Sequence, residues 1–140
     1  VIRHAALHGV EVPESIVPDM IDEFPALFVV AACASGKTVV RGAAELRVKE
    51  SDRLASMATG LRNLGIQVDE TPDGATIHGG VIGSGSVESH GDHRIAMAFS
   101  IAAQRATGAV RIADVANVAT SFPDYDALAQ QVGFGTFTGA

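Results

Sequence analysis

Glu45-Leu46-Arg47-Val48-Lys49-Glu50-Ser51-Asp52-Arg53-Leu54 is the stretch around which this chain is organised. It crowds two carboxylates and two cations (Lys49, Glu50, Asp52, Arg53) into the junction between an apolar strand and an amphipathic helix. Beyond it, Leu54, Met57, Ala58, Leu61 and Leu64 recur at helical spacing, so a helix is expected to start at or near Ser51. Ser51 is a sound N-cap, because its hydroxyl can accept from the open N–H groups of the first turn. Lys49, Glu50 and Arg53 then surround a helix N-terminus, where free N–H groups and the helix dipole favour an anion. A solvated charge run on a surface helix would look the same in isolation. What separates the two is that the design recurs downstream.

Working outward, the 140 residues are 47% hydrophobic and 19% charged, which suits one globular unit with an adequate core. A formal charge of −6 argues against nucleic acid as the main partner, so an anion-binding surface must be built locally from a few placed cations. No apolar run approaches the length that spans a membrane. One cysteine excludes an internal disulfide framework and fits a reducing cytoplasm. Val1-Ile2-Arg3-His4 has neither a methionine nor a signal-peptide pattern, and is expected to be an internal point of a longer protein.

Before the central stretch, His8 to Val12 reads as a strand, and Pro13 and Pro18 mark an irregular connection. Asp22 to Ala34 reads as a helix that tolerates Pro25 in its first turn; being apolar all round, it should be buried between layers. Gly36 stops it, and Thr38 to Arg41 reads as a strand. After the central helix Gly65 serves as a C-cap. Ile66-Gln67-Val68 and Ala75-Thr76-Ile77-His78 flank a turn at Pro72-Asp73-Gly74, a hairpin signal. Gly79 to His90 is expected to be an exposed loop. Gly91-Asp92-His93-Arg94 then opens a second apolar helix through Ala103, followed by a strand at Ala109–Ile112 and a loop to Ser121. A last helix is expected from Pro123 to about Val132, and a frayed tail from Gly133 to Ala140.

A shift of 72 residues lays Gly36 on Gly108, strand on strand, and the first apolar helix on the second, with Asp22 falling on Arg94. Each copy reads helix, strand, helix. Repeated α/β units bury their faces by packing against one another, so two copies suggest an incomplete set. Four helix N-termini on one side would form a single anion-friendly floor carrying Asp22, Lys49, Glu50, Arg53, Arg94, Thr120 and Ser121.

Other signals are weaker. Ala34-Ser35-Gly36-Lys37-Thr38 imitates a phosphate loop, but Ala31 stands where that motif needs glycine, and it leaves a helix to enter a strand. Cys33 reads as a buried inert thiol. The five histidines show no ligand spacing, so no metal is expected. His93 stays a possible site residue because it sits at a helix start, although Asp92 as a simple cap and His93 as a packed side chain would explain both.

Asp22-Glu23-Phe24-Pro25, Leu46 to Arg53, Gly91-Asp92-His93-Arg94-Ile95-Ala96-Met97 and Ala119-Thr120-Ser121-Phe122-Pro123 together resemble the C-terminal part of 5-enolpyruvylshikimate-3-phosphate (EPSP) synthases. The resemblance implies an α/β fold of repeated enolpyruvyl-transferase-type units, with about two units of the C-terminal lobe over residues 1–140 and helix N-termini facing the active-site cleft. It implies transfer of the enolpyruvyl group of phosphoenolpyruvate to shikimate 3-phosphate, with no organic cofactor. The N-terminal portion, the other lobe, is then the partner that completes the site, in a cytoplasmic enzyme without nucleic acid or membrane. By the same resemblance Asp22 is the general base at the attacking hydroxyl and Lys49 binds shikimate 3-phosphate. Glu50 moves a proton at the methylene carbon, and Arg53 and Arg94 clamp phosphoenolpyruvate. Thr120 stands where some branches carry a lysine. Two other readings stay open on the residues alone: the sister transferase acting on UDP-N-acetylglucosamine, and a non-catalytic domain that binds an anion or a partner chain.

Overall fold

The computed structural model describes residue 1 and residues 3–135. Its centre is a trio of helices: α1 (Phe24–Ala32), α2 (Arg53–Asn63) and α3 (His93–Ala103). Their inward faces are apolar at helical spacing, and Phe24, Phe28, Leu54, Met57, Leu61, Ile95 and Phe99 are all within 1% of complete burial. Side chains of that size each contribute about 1.5–3 kcal/mol when taken from water, which makes this contact the main source of cohesion.

Two sheets cover the trio. In the first, β1 (Lys37–Val40), β2 (Val68–Thr71) and β3 (Gly74–His78) are all antiparallel, in the order β1-β3-β2. The hairpin forms over Pro72-Asp73, with Thr71 opposite Gly74. Its first strand starts at Val68 because the Ile66 N–H is spent on the Leu61 carbonyl at the end of α2. On the other edge of β1 the segment 8–12 runs parallel to it, through bridges His8–Ser35 and Glu11–Val39. The second sheet pairs β4 (Gly85–Glu88) with β5 (Val110–Ala113) in parallel, with Gly85 opposite Val110. In both copies, then, an extended segment, a helix and a parallel partner strand make a crossover, and the repeat holds with one more element per copy than the sequence suggests.

Several expectations change. The 79–90 segment is not simply an exposed loop: it holds β4, and Ile82, Val87 and Ser89 are buried. Glycine and serine disguise a strand that exists because β5 offers it a partner 25 residues later. Within the expected loop before Ser121 a short helix forms, α4 (Ala116–Ser121), and the last helix is α5 (Tyr125–Gln131). The Gly133–Ala140 tail was expected to fray, yet the Phe134 and Gly135 N–H groups bond to the Ala129 carbonyl and to Gln104 Oε1; residues 136–140 lie outside the described residues. α1 begins at Phe24, after a 3-10 turn over Pro18–Glu23, and its Ala26 and Val30 face solvent one turn apart, so it is not enclosed on every side. Cys33 is half-buried. The phosphate-loop lookalike does leave α1 and enter β1, the reverse of what that motif needs.

The cap of α2 is also shifted by one. Asp52 takes the position, its Oδ1 accepting from the Ala55 N–H at 2.9 Å, while Ser51 turns its hydroxyl elsewhere. Asp52 Oδ2 meets Arg47 Nη1 at 2.9 Å, and Arg47 also donates to Glu70 and to the Pro72 and Thr71 carbonyls. One arginine thus fastens the hairpin turn to the start of α2.

Candidate functional site

The N-termini of α1, α2 and α3 converge, and the residues just before or at each one meet. Arg53, the first residue of α2, is the hub. Its side chain is 1% exposed, and each of its three nitrogens donates to a different carboxylate. Nε donates to Asp92 Oδ2 at 2.8 Å, Nη1 to Asp22 Oδ1 at 2.9 Å, and Nη2 to Glu50 Oε2. These carboxylates come from the cap of α3, the turn before α1 and the run into α2, so the guanidinium joins all three helix starts.

Asp92 is completely buried and caps α3, its Oδ1 accepting from the Arg94 N–H at 3.0 Å. Its Oδ2 accepts from the Ser51 hydroxyl at 3.0 Å as well as from Arg53. Burial pushes its carboxyl upward, but the Arg53 hydrogen bond and charge, with help from Ser51 and the Arg94 N–H, hold it below the ordinary range. Ser51, read as a cap, is instead a tether from the α2 approach to α3.

Asp22 faces three cations. Besides Arg53, its Oδ1 lies 3.7 Å from Lys49 Nζ and its Oδ2 3.9 Å from Arg94 Nη2. Partial burial works to raise its carboxyl; the Arg53 hydrogen bond and the charges of Lys49, Arg94 and Arg53 outweigh it, and the group stays ionised. Arg94 is half-buried and donates through Nη1 to the main-chain carbonyl of Asp22 at 3.0 Å and to Glu23 at 3.3 Å. Lys49 pairs with Glu45 one turn back, which together with the Asp22 charge raises its ammonium group.

Asp22, Lys49, Glu50, Arg53 and Arg94 are therefore brought together, and the 72-residue shift that superposes Asp22 on Arg94 pairs residues that touch. Thr120 and Ser121 are not part of this cluster. They lie in the last turn of α4, both exposed, rather than at a helix start. The fourth helix start is displaced too: Tyr125, opening α5, shares a hydrogen bond with Ser100, about 10 Å along α3 from its first turn. His93 is half-buried in the first turn of α3, and among the described residues its ring makes no hydrogen bond to the cluster. Asp92, Ser51, Glu23 and Glu45 complete the cluster. Asp92 was readable as a cap and as a structural ion-pair partner for Arg53 or Arg94, and the structure gives it both roles, with Arg53 as the partner.

Beside Glu50, an open depression of about 370 Å³ runs along α2, lined by Glu50, Ser51, Asp52, Ser56, Thr59 and His90. Among the described residues no group of histidine, cysteine or carboxylate side chains is placed to hold a metal ion, and no helix is long and apolar enough to cross a membrane.

The chain that carries this cluster is similar over nearly all its length to known proteins. The family model for EPSP synthase (3-phosphoshikimate 1-carboxyvinyltransferase) matches residues 1–128. The chain belongs to the EPSP synthase family. The 3-phosphoshikimate 1-carboxyvinyltransferase of Xanthomonas axonopodis pv. citri is 76% identical over 137 residues, covering 98% of this chain and 31% of that relative. That of Xanthomonas euvesicatoria pv. vesicatoria is 75% identical with the same coverage. Among solved structures, an EPSP synthase from Acinetobacter baumannii superposes with a TM-score of 0.89 at 50% identity, over 92% of this chain and 31% of that one. A second structure of that organism's EPSP synthase gives 0.89 at 45% identity. The chain thus spans about a third of the length of the EPSP synthases it matches.

Proposed function

We propose that this chain supplies one wall of an enolpyruvyl-transfer site, in which phosphoenolpyruvate gives its enolpyruvyl group to a hydroxyl of shikimate 3-phosphate and phosphate leaves. The observation that carries it is Asp22 held ionised among Lys49, Arg53 and Arg94 where three helix starts meet. The two substrates bring two phosphates and a carboxylate, which fixed cations and open helix N–H groups favour.

In this reading Asp22 takes the proton of the attacking hydroxyl, and Glu50 delivers a proton to the methylene carbon of phosphoenolpyruvate. The hydroxyl oxygen bonds to the cationic carbon so formed. In the second half the carbon–oxygen bond to phosphate breaks, the new methyl returns a proton to Glu50, the leaving phosphate takes the proton held by Asp22, and the enol ether is restored. Lys49 holds shikimate 3-phosphate, and Arg53 and Arg94 hold phosphoenolpyruvate. The other wall, with further substrate contacts, comes from the remaining length of the family's proteins, and the whole enzyme works in the cytoplasm without a cofactor.

The test uses a full-length enzyme that carries this segment. Asp22→Asn keeps shape and removes the base, so turnover should fall roughly 10²–10⁴-fold with much smaller changes in KM for both substrates. The 140-residue chain alone should release no phosphate from the substrate pair. Unchanged turnover in the folded Asp22→Asn enzyme would leave Asp22 a helix-start acid and favour a non-catalytic anion-binding wall.

A further inference from the structure

We infer that the Glu50 carboxylate is a resident anion on Arg53, and that a substrate anion engages Arg53 only by displacing it. This rests on the enolpyruvyl-transfer reading and adds an order of events to it. With its side chain 1% exposed, Arg53 cannot be reached from solvent while its three carboxylate partners stay in place. Of these, Asp92 is completely buried and also held by Ser51 and the Arg94 N–H. Asp22 is shared by three cations. Glu50 is 55% exposed, and among the described residues Arg53 is its one ion-pair partner.

Glu50 is therefore the partner that gives way. It also has somewhere to go, because its side chain borders the 370 Å³ depression along α2. Charge balance favours displacement. Lys49, Arg53 and Arg94 are met by Asp22, Glu23, Glu45, Glu50 and Asp92, a local excess of two negative charges that withdrawal of Glu50 halves as an anion arrives. The exchange has a chemical use. While it sits on Arg53, Glu50 is an ion-paired carboxylate with no proton to give. Once phosphoenolpyruvate has taken its place, the freed carboxylate, 55% exposed, takes a proton from solvent and passes it to the methylene carbon.

Calorimetric titration of phosphoenolpyruvate, with inorganic phosphate as a second probe, into the full-length enzyme tests this. Glu50→Gln removes the competing charge and should tighten phosphoenolpyruvate about fivefold, the worth of a partly exposed ion pair, even as turnover falls. Glu50→Ala, at the same exposed position, should do likewise. Glu11→Gln removes an equal charge from the exposed Arg41 pair outside the cluster and should leave affinity unchanged. Unchanged or weaker binding by both Glu50 variants would overturn the inference, as would equal tightening by Glu11→Gln, which would show a net-charge effect. Arg94→Lys separates the two levels: if it fails to weaken phosphoenolpyruvate, the site reading itself fails; if it does weaken it while the Glu50 variants do not tighten it, only the displacement fails.

Discussion

Asp92 receives hydrogen bonds from Arg53, Ser51 and the Arg94 N–H without any exposure to water, and stability should follow its charge. Its folded carboxyl lies below the ordinary range, chiefly because the Arg53 bond and charge overcome burial. A depressed group lends stability at all pH values above its unfolded pKa, near 4, and that stability is lost as pH falls through the lower folded value. Asp92→Asn should therefore cost about 2–3 kcal/mol at neutral pH, because Arg53 loses a buried counter-charge. The gap between variant and parent should narrow steadily below pH 4. Urea unfolding followed from pH 7 to pH 2 measures both; a gap that stays constant with pH would mean the carboxyl is not the ionised partner described. The same geometry divides the two arginines. Arg53 is a strut between three helix starts whatever else it binds, whereas half-buried Arg94 leans on a main-chain carbonyl and an exposed glutamate.

At the scale of elements, the distance between α2 and α3 is set by a glycine. A Cβ placed on buried Gly60 would fall 2.2 Å from Cζ of Phe99, itself completely buried. Gly60→Ala improves intrinsic helix propensity by about 1 kcal/mol, but overpacking costs about 1–3 kcal/mol, so the variant should be less stable on balance. Because both helices carry cluster residues at their starts, the same change should lower substrate affinity without touching the site. Thermal unfolding and titration on one sample would check it, and a raised melting temperature would show that the helices separate freely. The helices were the most legible elements, since Leu54, Met57, Leu61 and the apolar run through α3 repeat at helical spacing. The hairpin was legible from Pro72-Asp73-Gly74. β4 was not, because a parallel strand takes its stability from a partner far along the chain rather than from its own composition. Likewise Lys49, Glu50, Arg53 and Arg94 stood out as charges at helix starts. Ser51 did not, because a serine ahead of a helix reads as a cap until the opposing carboxylate is in place.

The whole molecule is two crossovers side by side, each carrying its helix start into one cluster, and this is why residues 72 positions apart, Asp22 and Arg94, touch. A third of an EPSP synthase's length thereby contains a coherent wall of side chains rather than scattered contacts. The parallel β4–β5 pair carries a consequence in time. Its partners lie 25 positions apart and pair only once α3 has crossed back between them, whereas Thr71 and Gly74 meet over two intervening residues. Hairpins close in microseconds, while distant pairings wait on loop closure. Pulse-labelled hydrogen exchange during refolding should find β2 and β3 amides protected before those of β4 and β5; simultaneous protection would mean one cooperative step. If the order holds, Asp92 and Arg94 are the last of the cluster to arrive, and Arg53 spends the early moments of folding as a cation awaiting its deepest counter-ion.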